Sequence, residues 1–158
     1  MVSIHSHSGI YTLKTQHLLK ISLKEAWNFF SSPENLSKIT PEHMGFRITS
    51  GIPAKMYPGQ IITYKVSPFP GFQTNWVTEI TQVAEGSFFV DEQRFGPYRM
   101  WHHEHHFEAR GDGVLMTDRV SYKLPLGILG RLAHLLFIKN QLKQIFDFRG
   151  KILDKMFE

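Results

Sequence analysis

The chain has no cysteine among its 158 residues, which excludes disulfides, zinc–thiolate sites and cysteine nucleophiles. It has no run of about 18 apolar residues, so no segment reads as a membrane span. The longest apolar stretch, LPLGILGRLAHLLFI, is interrupted by Arg131 and His134. The start, MVSIHSHSGIYTLK, lacks the basic-then-apolar build of a signal peptide, and a cytoplasmic setting is the matching expectation. There is no GxGxxG or GxxxxGKS phosphate loop, no HExxH and no nucleophile elbow, so phosphate-loop binding, zincin chemistry and serine-type acyl hydrolysis are not indicated. Repeats, low-complexity tracts and linkers are also missing, and residues 1–158 read as one domain. The net charge of +4 comes from Lys and Arg scattered among Asp and Glu, which describes a solvated surface and no nucleic-acid partner.

What is present is ordinary for a globular chain: 42% hydrophobic residues and 20% charged, with 13 Phe. The segment YTLKTQHLLKIS alternates, with Tyr11, Leu13, Thr15, His17, Leu19 and Ile21 on one face, as a half-buried strand does. Ser22 followed by Glu25 is a capping box that starts a short helix. Ser32-Pro33 ends that helix, and a second short one is expected from Pro33 to about Ile39. His5 and His7, before the first strand, are expected to be disordered.

From Gly45 to Tyr122 the pattern is strand and turn, with QIITYKV, TNWVTEITQV, SFFVDEQRF, YRMWHHEHHFEA and VLMTDRVSYKL as strands. Asp112-Gly113 marks the last hairpin. From about Leu129 the apolar period becomes helical through Leu132, Leu135, Ile138, Leu142, Ile145, Phe146, Arg149, Ile152, Leu153 and Met156, which predicts one helix of roughly 28 residues. Segment 126–138 is apolar on nearly all sides, as suits a buried helix start, a homodimer contact or a gate. The expected architecture is α+β: a curved antiparallel sheet of six to seven strands around one long C-terminal helix, with two short helices after the first strand. A twisted sheet cannot close on a helix along its whole length, so a pocket is expected between them.

Four segments carry a family resemblance: SLKEAWNFFSSPENLSKITPEHMGF (22–46), FVDEQRFGPYRMWHHEHHFE (89–108), MTDRVSYKLPLG (116–127) and IFDFRGKIL (145–153). In element order and in these motifs the chain resembles the START/Bet v 1-like SRPBCC superfamily, and most closely its bacterial ligand-binding and polyketide-cyclase-like members. The resemblance implies a helix-grip fold with a deep, largely apolar cavity, and no metal or other cofactor. It does not fix a reaction, since function lives in the site and not the fold.

The stretch YRMWHHEHHFEA holds four of the nine histidines. Strand alternation puts Trp101, His103, His105 and Phe107 on one face and His102, Glu104, His106 and Glu108 on the other. The first face is expected to be the inner one. Three readings stay open. His103 and His105, at i and i+2, could grip a metal ion if Asp118 or Asp91 gave a third ligand. A histidine beside an aspartate could act as general base in a cyclase or dehydratase, with His103, His105 and Asp118 as the catalytic candidates. The plainest reading is a satisfied polar cluster in the core.

Arg149 falls on the apolar stripe of the long helix, where a charge is costly unless paired, so it is expected to reach Asp118, or failing that Asp91. The candidate ligand-contacting residues are Tyr64, Trp76, Asp91, Gln93, Trp101, His103, His105, Asp118, Tyr122 and Arg149. The leading expectation is non-catalytic binding or carrying of a small hydrophobic or amphipathic molecule, lipid- or polyketide-like. The alternative is a cyclase/dehydratase acting in the same cavity.

Overall fold

The computed structural model describes residues 2–51, 55–69 and 71–158. Its strands are β1 (Ser3–His7), β2 (Ile10–Leu19), β3 (Arg47–Ile48), β4 (Gln60–Phe69), β5 (Phe72–Ala84), β6 (Phe88–Phe95), β7 (Met100–Arg110) and β8 (Gly113–Lys123). They form one antiparallel sheet of eight strands in the order β1-β2-β8-β7-β6-β5-β4-β3. Helix α1 (Leu23–Phe30) and 3-10 turns at Pro33–Ile39 and Glu42–Met44 link β2 to β3. A helix of 30 residues closes the chain: α2 (Gly127–Ala133), a π-helical turn (His134–Ile138) and α3 (Lys139–Met156). This is the helix-grip architecture.

The sheet has one strand more than the six to seven expected, and the addition is β1. The N-terminal histidines are therefore ordered: His5 pairs with Thr12 and His7 with Ile10. Ser8 and Gly9 both take positive φ, +51° and +78°, as a two-residue type I′ hairpin requires. The two short helical segments accordingly follow the second strand. The β7–β8 loop also sits one residue earlier than Asp112-Gly113. Arg110 pairs with Gly113, and Gly111 carries the positive φ of +59°.

The capping box at α1 forms as the sequence predicts. The Ser22 N–H donates to Glu25 Oε2 at 2.9 Å, and the Glu25 N–H donates to Ser22 Oγ at 3.3 Å. This fixes the entry of α1 onto the inner face, where Trp27 meets Phe89 and Phe107 edge-on with centroids 6.1 and 5.9 Å apart. Leu19, Met116 and Leu153 close the same end. Bulges at Val66–Phe69, Val77–Thr78 and Ile80–Gln82 shift the register of β4, β5 and β6, and bulges bend and twist a sheet. The sheet bends at these positions.

Gly150 sets the other boundary. A Cβ built on it would overlap the His17 ring, so α3 lies directly against β2 at this point. The helix thus packs directly on the sheet at β2 and meets β4 again through Gln141 and Pro68.

In segment 126–138 one of the three expected roles is ruled out. It is not a buried helix start: Leu126, Ile128, Leu129, Leu132, Leu135, Leu136 and Phe137 are all more than half exposed. The continuous stripe drawn through Leu132 and Leu135 therefore fails, and the buried stripe runs from Leu142 through Phe146 and Arg149 to Leu153. The cause is the π turn, which rotates the preceding face by inserting one extra residue. No described helix is long and apolar enough to cross a membrane.

Candidate functional site

The gap between the curled sheet and α3 is a cavity of about 200 Å³. Its wall is mostly apolar, with Ile62, Val66, Ile80 and Phe89 from the sheet, Phe30 from α1 and Phe146 from α3. One side of the wall is polar, and β6, β7 and α3 build it, with β8 behind them.

Asp91 lies opposite His103 in the β6–β7 ladder, and Asp118 lies opposite His105 in the β7–β8 ladder. All four side chains share the inner face, so each carboxylate can also reach the diagonal histidine. His103 Nε2 stands 2.9 Å from Asp118 Oδ1, and His105 Nε2 stands 2.8 Å from Asp91 Oδ2. The remaining ring nitrogens meet the opposite acids: His103 Nδ1 is 3.5 Å from Asp91 Oδ2, and His105 Nδ1 is 3.1 Å from Asp118 Oδ1. That last pair is off-line for a hydrogen bond, and His105 Nδ1 has no partner among the described residues. The two imidazole centroids lie 3.8 Å apart with the rings tilted by 35°, and Phe89 stacks on His105 at 4.1 Å.

Arg149 drops from α3 onto this cluster. Its Nη1 donates to Asp118 Oδ1 at 3.4 Å, and its guanidinium lies 5.1 Å over the Phe146 ring. The charge expected on the apolar stripe is thus paired, and with the acid expected first. Asp118 is 1% exposed, His103 5%, His105 6% and Arg149 7%. Buried charges persist only when compensated. Two carboxylates and one guanidinium leave one negative charge, which one imidazolium neutralises.

The proton affinities follow that count. Burial lifts the Asp118 carboxyl, but Arg149 and the two histidines outweigh it and hold the group well below the ordinary range. Asp91 is likewise held low, because His103 and His105 overcome its burial. Burial, reinforced by His105, pushes His103 down. His105 is pushed up, because its contacts with Asp118 and Asp91 outweigh burial.

Seven of the ten sequence-predicted residues line the cavity: Tyr64, Trp76, Asp91, Trp101, His103, His105 and Arg149. Three do not. Asp118 sits behind the histidines and touches the cavity only through them. Gln93 folds onto the β6–β7 connection, where its Nε2 donates to Tyr98 O at 2.6 Å and its Oε1 accepts from the Tyr98 N–H at 3.2 Å. Tyr122 is fully buried beside α2, its hydroxyl 2.8 Å from His134 Nε2 in the π turn.

The SPFPGFQ segment between β4 and β5 is described only in part. The Phe69 side chain and Pro70 lie outside the described residues, and Phe72 is exposed. Pattern reading missed Asn35, Leu36 and Ile39, which the Pro33–Ile39 turn presents to the cavity, and Gln141, whose amide donates to Pro68 O. A three-residue period in PENLSKI is the only sequence signal for the former.

Besides His105 Nδ1, two polar groups of residues lining the wall have no hydrogen-bond partner among the described residues: Trp76 Nε1 and Arg149 Nε. Both are N–H donors. A metal ion could be held by Asp91, His103 and His105, whose donor atoms lie within 4.8 Å of one another.

No family model matches this sequence, and no curated protein matches it. Solved structures do match in shape. Protein Ms6760 from Mycobacterium smegmatis is 14% identical, with a TM-score of 0.67 over 99% of each chain. The major latex-like protein 151 of Panax ginseng is 17% identical, with a TM-score of 0.58 over 87% of this chain and 97% of that one. Ara h 8.0201 is 15% identical, with a TM-score of 0.58 over 92% of this chain and 99% of that one. At these identities the likeness establishes the fold alone.

Proposed function

We propose, from the premise that this chain has the Bet v 1-like helix-grip fold, that it binds a small hydrophobic or amphipathic molecule bearing an acceptor oxygen. The observation that carries this reading is that two residues lining a mostly apolar cavity, Trp76 and Arg149, each carry a buried N–H donor, Nε1 and Nε, with no partner among the described residues. A buried donor without a partner costs on the order of 1–3 kcal/mol, and a carboxylate, carbonyl or hydroxyl oxygen of the ligand recovers that loss.

Size narrows the class. A cavity of about 200 Å³ is smaller than the roughly 300–1,000 Å³ of drug-sized sites. It suits a short acyl chain or a small ring system and excludes a two-chain lipid. Burying about 300 Å² of apolar ligand surface is worth roughly 7.5 kcal/mol at 25 cal/mol/Å². Association takes back at least about 4 kcal/mol, which leaves millimolar binding or weaker. Affinity and discrimination therefore fall to the polar wall.

The cyclase/dehydratase alternative draws on the same atoms. It is favoured by one observation: His103 and His105 touch, yet burial lowers the proton affinity of one while carboxylate contacts raise that of the other. Opposed shifts of this kind separate an acid from a base.

The test is fluorescence titration with a conjugated fatty-acid probe, displaced by medium-chain carboxylic acids. Wild-type protein is expected to bind one equivalent. Arg149→Met, which removes the donor and keeps the bulk, weakens acids more than the matching alcohols. Equal weakening of acids and alcohols sinks the role given to Arg149. No binding of any probe sinks the proposal. Turnover that falls in His103→Gln while probe binding survives identifies the enzyme instead.

A further inference from the structure

We infer that Asp91 Oδ2, His103 Nδ1 and His105 Nε2 form a binding site for a divalent first-row transition-metal ion, open to the cavity. The inference is independent of the small-molecule reading, since it concerns the protein's own donor atoms.

The first ground is convergence. The three residues line the cavity from two adjacent strands, and their donor atoms lie within 4.8 Å of one another. A tetrahedral ion with ligands at about 2.0–2.2 Å sets donors roughly 3.4 Å apart. The His103 Nδ1 to Asp91 Oδ2 separation is 3.5 Å. The His105 Nε2 to Asp91 Oδ2 separation is 2.8 Å, so replacing that proton with an ion opens the pair by about half an ångström.

The second ground is the outer contact of each ring. His103 Nε2 meets Asp118 Oδ1 at 2.9 Å, and His105 Nδ1 stands 3.1 Å from the same oxygen. Asp118 is pinned in turn by Arg149 at 3.4 Å. Metal-bound histidines nearly always give their other N–H to a carboxylate or carbonyl, which fixes tautomer and ring direction. Here one buried carboxylate holds His103 by a hydrogen bond and lies within 3.1 Å of the outer nitrogen of His105, while the inner nitrogen of each ring faces Asp91.

The third ground is hydrogen-bond accounting. Each of the four imidazole nitrogens faces a carboxylate oxygen at 3.5 Å or less. A neutral ring carries one N–H, so one nitrogen of any neutral ring confronts an acceptor with a lone pair. The unpartnered His105 Nδ1 and Asp118 Oδ2 show the mismatch. An ion between the inner nitrogens and Asp91 places both N–H groups on the Asp118 side and removes the facing lone pairs.

Two imidazoles and one carboxylate suit Zn²⁺ or Fe²⁺, whereas Mg²⁺ and Ca²⁺ prefer oxygen ligands throughout. Three protein ligands leave at least one position open. Two carboxylates, Arg149 and a divalent ion sum to one positive charge, so the open position accepts an anionic oxygen.

The test is titration of chelator-stripped protein with Co²⁺, read by visible absorption and by stoichiometry after desalting. The wild type is expected to bind one Co²⁺ per chain with the intense bands of a four- or five-coordinate site, and Zn²⁺ to abolish them. His103→Gln and Asp91→Asn are expected to lose the bands while far-UV circular dichroism confirms the fold. Asp118→Asn is expected to weaken binding about 10–100-fold, the usual cost of losing such an outer contact. His102→Asn with His106→Asn, on the outer face of the same strand, is expected to change nothing. Should the named variants fail to fold, the wild-type melting temperature must still rise with Zn²⁺ concentration, as binding to the native state requires. Absence of stoichiometric Co²⁺ from the wild type overturns the assignment. So does loss of binding in the outer-face variant with retention in His103→Gln.

Discussion

The two faces of β7 hold two histidines each, and they treat them in opposite ways. On the inner face His103 and His105 are almost fully buried, locked between Asp91 and Asp118 and capped by Arg149. On the outer face the His102 and His106 side chains are 31% and 45% exposed, and they pair with Glu92 at 2.7 Å and Glu104 at 2.8 Å. The distances are alike; the dielectric is not. Charges near water interact weakly and are screened, while a buried charge that loses its partner is left uncompensated. Hydrogen-bond lengths alone would not separate a surface decoration from the polar floor of a site.

The sharpest way to break this contrast is to remove one acid from each face. Asp118→Ala strands Arg149 inside and is expected to cost about 3–5 kcal/mol in urea denaturation. Glu104→Ala is expected to cost less than about 1 kcal/mol. Comparable losses would mean that the inner cluster is more solvated than its burial indicates.

Next in size is the contact that brings α3 onto the inner face. Gly150→Ala gains about 1 kcal/mol of helix propensity, yet its Cβ meets the His17 ring. Overpacking of this kind costs about 1–3 kcal/mol, so the variant is expected to be less stable and a second change, His17→Ala, to restore it. A stabilised single variant would show that the helix is free to shift.

The pH dependence sharpens the comparison further. Asp91 and Asp118 are held below their ordinary value near 3.8. Their contribution is therefore present above that value and lost as pH falls through the lower folded values. His105, raised above 6.5, stabilises below 6.5, and that contribution fades as pH climbs through its folded value. His103, lowered from 6.5, favours the fold above 6.5 and opposes it below. The two histidines thus offset each other around 6.5, and the main loss falls on the acid side. Asp118→Asn is expected to flatten that acid limb, and Glu104→Gln to leave it in place. The smallest effect is expected for His102→Asn with His106→Asn, within about 0.5 kcal/mol of wild type.

This contrast was legible in the letters of β7. Trp101 and Phe107 marked the inner side, and period-two alternation carried His103 and His105 with them. Arg149 was legible too, because a charge on an apolar helical stripe demands a buried acid. Other features left no local trace. β1 is polar, SIHSH, and is held by backbone pairing at a sheet edge, where side-chain pattern carries little. The π turn arises where Tyr122 and the stacked Tyr11 capture His134, a contact between distant segments. Gln93 keeps strand alternation, yet its amide is taken by the turn at Gly96-Pro97, a partner that alternation alone does not reveal. Apolar density in 126–137 showed composition and not exposure, since only the tertiary fold determines where the sheet stops covering the helix.

The most direct test of the central claim is native mass spectrometry of the protein purified from its own host, beside an Ile80→Trp variant. Ile80 stands opposite Asp91 and lines the cavity, so the indole fills the space next to the polar floor. The expected result is a small organic adduct on the wild type, one per chain, missing from the variant. An adduct of equal occupancy on both proteins, or none on a wild type that also ignores added medium-chain acids, would contradict the account.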